Sequence, residues 1–98
     1  MKPHSFHLEA EEEYARAAAD YARISPKLGG RFYDEIERLI AEVRARPSMY
    51  RFIRKPVRRH FTYVFPYGIL YVDRPEEVRI VAVMHLRSKP LYWTHRVD

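Results

Sequence analysis

The chain contains no cysteine, which excludes disulfides and thiolate metal sites and makes a reducing compartment the natural one. No apolar run approaches the roughly 20 residues that a membrane-spanning helix needs, and the segment after Met1 lacks a secretory signal pattern. Glycine is scarce, with three residues in 98. Phosphate-binding loops and nucleophile motifs are absent, which argues against nucleotide hydrolysis and serine-hydrolase chemistry. The five histidines stand at positions 4, 7, 60, 85 and 95. His4 and His7 would face opposite sides of a strand, and neither HExxH nor a carboxylate cluster accompanies them, so no metal and no cofactor is expected. What remains is the expectation of a soluble cytoplasmic domain with no membrane association.

Apolar residues make up 47% of the chain and aromatics 14%, which argues against disorder. A chain of this length buries roughly 65% of its unfolded surface, enough for one domain over residues 1–98 with one modest core. Charge is unevenly placed. Residues 1–43 hold six Lys/Arg against nine Asp/Glu, a balance of −3, and residues 44–98 hold twelve against four, a balance of +8. A basic half is either a solvated surface or the footprint of an anionic partner, nucleic acid or acidic protein.

Residues 4–8 (HSFHL) alternate and read as a first strand. From Glu9 the spacing becomes helical, with Tyr14, Ala17, Ala18, Tyr21 and Ile24 on one face. Glu11, Glu12 and Glu13 form a solvated helix start that complements the helix dipole. Ser25-Pro26 announces a second helix, a serine cap followed by a proline that needs no intrahelical bond. Its stripe is Leu28, Phe32, Ile36, Leu39, Ile40 and Val43, and Pro47 ends it. Gly29 and Gly30 weaken its first turn and place the regular helix nearer Arg31. The two helices form an αα-hairpin. Residues 48–56 are a basic, aromatic connection without a period. Strands follow over 57–65, 69–73 and 78–87, with turns at Pro66-Tyr67-Gly68 and Arg74-Pro75-Glu76. The IVAVM stretch at 80–84 is apolar on both faces, which suits an interior strand paired with the first. The expected fold is α+β, in the order β-α-α-β-β-β, with the helical hairpin on one face of a mostly antiparallel four-stranded sheet. The chain then breaks at Pro90 and leaves Tyr92, Trp93, His95 and Arg96 on an exposed end, where aromatics and cations need a partner to stay ordered.

The chain resembles the RelE/ParE superfamily of bacterial type II toxins. The resemblance rests on the Glu-rich start of the first helix, Phe32 in the second, Arg58-Arg59 on the second strand and residues 65–71 (FPYGILY) at the hairpin. The closing signature is residues 81–87 (VAVMHLR), followed by Pro90, Tyr92, Trp93 and Arg96. Ser88 and Lys89 stand where ParE-type members commonly carry a second arginine after the histidine.

The resemblance implies a toxin held inactive by a cognate antitoxin in a hetero-oligomeric complex, of a class associated with plasmid stabilisation. Such antitoxins bind through a disordered segment that folds along the toxin. Two activities are implied by different branches. RelE-type relatives cut messenger RNA on the ribosome without a metal, and that chemistry needs phosphate clamps and proton donors and acceptors. Arg58, Arg59 and Arg87 are then candidate clamps, and Tyr92, His85 or His60 candidates for proton transfer. Arg54 and Lys55 would hold RNA, or else antitoxin together with Arg58 and Arg59, and Tyr92 or Trp93 would stack a base. ParE-type relatives poison DNA gyrase with a recognition surface alone, here Arg87, Lys89, Tyr92, Trp93 and Arg96. The closing pattern favours this second branch. A third reading is a non-toxic module that only binds antitoxin.

Overall fold

The computed structural model describes residues 1–97. Strand β1 (His4–Phe6) leads into helix α1 (Leu8–Ile24). His7 caps that helix: its Nδ1 accepts the Glu9 N–H at 3.1 Å, satisfying one of the amides that a helix start leaves unpartnered. Ser25 separates α1 from α2 (Pro26–Ala45), and its Oγ accepts the Leu28 N–H at 3.3 Å, as the serine–proline pair led one to expect. The expected delay of α2 to Arg31 does not occur. Gly29 sits where the two helices cross, and a Cβ on it would stand 2.7 Å from the Cβ of Ala22. The residue that weakens the helix locally is thus the one that lets the hairpin close.

Four further strands follow: β2 (Phe52–Arg54), β3 (Val57–Phe61), β4 (Tyr67–Asp73) and β5 (Val78–His85). The sheet order is β1-β5-β4-β3-β2, with β1 parallel to β5 and every other pair antiparallel. β5 is interior and pairs with β1, in keeping with its two-sided apolar composition. The sheet has five strands rather than four. β2 lies in the segment read as an aperiodic connection, because three residues are too few to show alternation. It is held by pairing with β3, and the Arg58 guanidinium lies 4.0 Å from the centre of the Phe52 ring.

β3 stops at Phe61 rather than at residue 65. Thr62 closes the turn there: its Oγ1 accepts the Phe65 N–H at 3.0 Å and donates to the Phe65 carbonyl at 2.9 Å. Tyr67 and Gly68 therefore belong to β4, not to the turn. Gly68 is required at its position because a Cβ would collide with the Phe61 ring across the ladder. β5 ends at His85, short of the expected Arg87.

Two apolar clusters lie on opposite faces of the sheet. On the helical side, Phe32, Ile36, Leu39, Ile40 and Val43 meet Ile69, Tyr71, Val78, Ile80 and Val83. Ile24 is an exception to the expected stripe; at the last residue of α1 it is 73% exposed. The second cluster joins Val57, Leu70, Val81 and Ala82 to Trp93. Leu70 opposes Ala82 while Tyr71 opposes Ile80, so Val81 is an extra residue in β5, a bulge that strengthens local twist. The cover over this second face is the tail, which ends in a short 3₁₀ turn at Thr94–Arg96. Trp93 is 2% exposed and Arg96 8%, which corrects the expectation of an exposed end. Asp98, the last residue of that tail, lies outside the described residues. No helix among the described residues is long and apolar enough to cross a membrane.

Candidate functional site

β1 is only three residues long and covers β5 as far as Ile80, whose carbonyl accepts the His7 N–H at 2.8 Å. Beyond it, β5 has a free edge, and buried backbone groups left without partners are costly. Two side chains take them up. Glu13 of α1 accepts the Val83 N–H at 3.1 Å, and Arg96 of the tail donates to the Val81 carbonyl at 3.1 Å. The two also bind each other in a bidentate pair, at 2.8 and 3.0 Å. Tyr92 donates its hydroxyl to the second Glu13 oxygen at 2.7 Å. Glu9 reaches Arg96 at 3.2 Å and His95 at 3.0 Å. This clasp fastens the tail to the first helix across the sheet edge.

Glu13 is the residue that sequence reasoning missed. Glu11 and Glu12 are exposed, as expected of a solvated helix start, but Glu13 is not. The signal was its place on α1, three residues after buried Ala10 and four before buried Ala17. Residues at those spacings share one helix face.

The candidate nuclease residues do not all converge: His85 and Tyr92 line one hollow beside Arg87, apart from Arg58, Arg59 and His60. Arg58 and Arg59 are neighbours on a strand and point to opposite faces. Arg58 donates to the backbone carbonyls of Ser48 at 3.2 Å and Tyr50 at 2.8 Å, while the Arg59 guanidinium lies 5.0 Å from the Phe61 ring centre. His60 pairs with Glu42 at 2.7 Å and stacks on Tyr50. His85 accepts the Arg87 N–H through Nδ1 at 2.9 Å and meets the Tyr67 ring edge-on. The ladder places Arg58 opposite Tyr71 and His85 opposite Tyr67. That separates them by about 13 Å along the strands and about 10 Å across them. Tyr92 is also unsuited to accepting a proton: burial, and then its bond to Glu13, raise its pKa above the ordinary phenol value.

The family model described as "ParE toxin of type II toxin-antitoxin system, parDE" matches residues 5–90. The chain belongs to the ParE toxin family. No curated protein matches it. It is thus a toxin of the type II class, and the family implies an antitoxin protein as its partner.

In this ParE-family toxin, the position where relatives commonly carry a second arginine is half-buried. Ser88 shares a polar hollow of about 140 Å³ with Glu13, Arg16, His85 and Tyr92, too small for a substrate of drug size. The cations that do reach solvent near the tail are Arg87 and Lys89, on the turn that follows β5, with Leu86 50% and Leu91 39% exposed beside them. Arg54, the last residue of β2, and Lys55, on the turn that follows, are likewise exposed. Trp93, Tyr92 and Arg96 sit behind these surfaces and hold the tail in place.

Proposed function

We propose that this ParE-family toxin acts in the cytoplasm by binding DNA gyrase and trapping its cleaved-DNA state, and that its antitoxin neutralises it in a hetero-oligomeric complex. The contact surface is the turn carrying Arg87 and Lys89, with Leu86 and Leu91 as apolar neighbours; Tyr92, Trp93 and Arg96 act by fixing that turn. Recognition of one conformation of an enzyme needs a shaped surface and no chemistry of the toxin's own. The observation that carries this reading is the dispersal of the candidate nuclease groups: Arg58 and His85 lie on separate parts of the sheet, and Tyr92 is committed to Glu13. The charge of the exposed turn also suits a partner already engaged with DNA.

The test is pulse labelling of DNA and protein synthesis just after induction of the chain, with purified toxin added to gyrase and supercoiled DNA in parallel. An early fall in thymidine incorporation and accumulation of cleaved DNA are expected. Arg87→Glu combined with Lys89→Glu should abolish both effects without changing the circular dichroism spectrum, since both residues are exposed. A fall in methionine incorporation that precedes any change in DNA synthesis refutes the proposal and makes the ribosome the target.

A further inference from the structure

His85 ends β5 and opens the turn that carries Arg87. Two bonds to His85 close that turn. Its carbonyl accepts the Ser88 N–H at 3.0 Å, and its Nδ1 accepts the Arg87 N–H at 2.9 Å. His85 thus takes the first position of a β-turn. Asparagine, aspartate or serine ordinarily stands there and offers a side-chain oxygen to the amide two residues on. We propose that His85 is a pH-sensitive positioning residue: while neutral it fixes the turn that presents Arg87 and Lys89 to the target, and on protonation it releases that turn. The inference rests on the reading of this turn as the contact surface, and adds how the surface is held and when it is withdrawn.

A backbone amide donates and never accepts, so the bond to Arg87 assigns the ring: Nδ1 is bare, and a neutral ring carries its proton on Nε2. An asparagine in this place would accept at every pH. Histidine instead changes charge between about pH 5 and 8. A proton on Nδ1 sets two N–H groups against each other and removes the acceptor. It also places a cation beside Arg87 and Lys89.

The surroundings of the ring favour the neutral form. Tyr67 opposes His85 across the ladder and meets its ring edge-on at 5.0 Å, and Tyr67 packs in turn against Tyr21 and Phe32. Helix α1 lines the same hollow with Glu13, Arg16 and Asp20, and the tail lines it with Tyr92. Glu13 is engaged by Arg96 and Tyr92, and Asp20 by Arg23. Neither carboxylate can take an imidazolium without giving up a partner, and Arg16 adds a further positive charge. Since the closed turn requires the deprotonated ring, presentation is complete above the histidine range and is lost as pH falls through it. His7 uses Nδ1 in the same way on the Glu9 N–H at the start of α1, so substitutions at position 85 alone separate the two.

Two substitutions place an amide oxygen differently. His85→Asn sets its Oδ1 where Nδ1 stands, and His85→Gln carries its oxygen one bond further out, past the Arg87 amide. The full chain, labelled at its amino terminus, is titrated with DNA-bound gyrase at about pH 8 and about pH 5.5, at the two ends of the histidine range. Affinities are read relative to His85→Asn at the same pH, which removes any pH dependence of gyrase and of the other four histidines. The wild-type chain should match His85→Asn within about twofold at the higher pH and bind about three- to tenfold more weakly at the lower, the worth of one hydrogen bond. His85→Gln should bind about three- to tenfold more weakly at both. In the toxin alone, the Arg87 amide resonance should move through the histidine range in the wild-type chain and stay fixed in His85→Asn. Coincident circular dichroism spectra verify that the variants fold. A wild-type chain that tracks His85→Asn at both pH values overturns the proposal, as does His85→Gln binding as tightly as His85→Asn. An Arg87 amide indifferent to pH overturns it without reference to any target. If no chain binds gyrase at about pH 8 while the Arg87 amide still titrates, the gyrase reading fails and takes with it the claim that the turn serves that target.

Discussion

Replacing Glu13 with glutamine should loosen the tail and lower the stability of the whole domain. Each Glu13 oxygen accepts two donors: the Val83 N–H and Arg96 Nη1 on one, the Tyr92 hydroxyl and Arg96 Nη2 on the other. A glutamine has one acceptor and one donor end, so either orientation turns an NH₂ toward an Arg96 Nη that must donate, together with the Val83 N–H in one of them; only the Tyr92 hydroxyl can turn to accept. Arg96 is buried, and removing the partner of a buried ion costs about 3–5 kcal/mol. Two features reduce that figure. The Glu13 side chain is 19% exposed, and Glu9 remains 3.2 Å from Arg96. The expected loss is about 2–3 kcal/mol, which for a domain near 100 residues lowers Tm by about 10–20 °C. Glu12→Gln, one residue earlier and exposed, should change stability by no more than about 0.5 kcal/mol. The assay is thermal unfolding followed by circular dichroism, with Trp93 emission as a local report on the tail. Adding Arg96→Met to Glu13→Gln should restore part of the loss, because it removes the stranded charge. If Glu13→Gln melts within about 0.5 kcal/mol of Glu12→Gln, the clasp does not hold the tail and this reasoning fails.

The adjacent glycines of α2 should respond with opposite signs. Gly29→Ala forces a Cβ against the Ala22 backbone, 2.9 Å from its Cα, and should destabilise by about 1–3 kcal/mol. Gly30→Ala meets nothing within 4 Å and should stabilise by about 0.4–1 kcal/mol; equal urea midpoints for the two variants would refute the helix-crossing argument. Stability should also fall toward both extremes of pH. Hydrogen bonds from Arg38 to Glu35, and from His60 and then Arg38 to Glu42, hold these carboxyls below their ordinary values. Their contribution is present above the unfolded pKa of about 4.3 and is lost as pH falls through the lowered folded values. His4, held low chiefly by burial, adds a shallower loss beginning below about 6.5. Tyr71, raised chiefly by burial, and Tyr14, raised by burial and then by its bond to Glu37, contribute stability present below about 10 that is lost at higher pH. Urea midpoints across pH test this, and a midpoint that rises on acidification from neutrality contradicts it.

The helical hairpin and the interior position of β5 were legible because each depends on periodicity or capping within a short stretch. Ser25-Pro26, the α2 stripe and the two-sided IVAVM run all carry their meaning locally. β2 was not legible, since its three residues gain their structure from a partner strand and from Arg58 over Phe52. The tail was misread for a different reason. A strand apolar on both faces demands cover on both, and the helices supply only one. Val57, Leu70 and Val81 required a second layer, and residues 91–97 were the chain left to provide it. Reading Trp93 and Arg96 as an exposed end considered the terminus without the sheet face that needed covering. Glu13 was assigned to the helix dipole, a sufficient local explanation that concealed its bond to a residue 83 positions away.

The basic half of the chain divides once its partners are known. Of its twelve cations, Arg44, Arg58 and Arg79 donate to the backbone, Arg74 pairs with Glu77 and Arg96 with Glu13. These five are structural. Arg46, Arg51, Arg54, Lys55, Arg59, Arg87 and Lys89 make no side-chain hydrogen bond or ion pair among the described residues, so seven of the twelve carry the positive charge of this half outward. Four of the seven fall within residues 51–59 and two flank Ser88 at the start of the tail. The free edge of β5 is sealed from within by a carboxylate. On the opposite side of the sheet, Arg54 and Lys55 have no ion pair among the described residues.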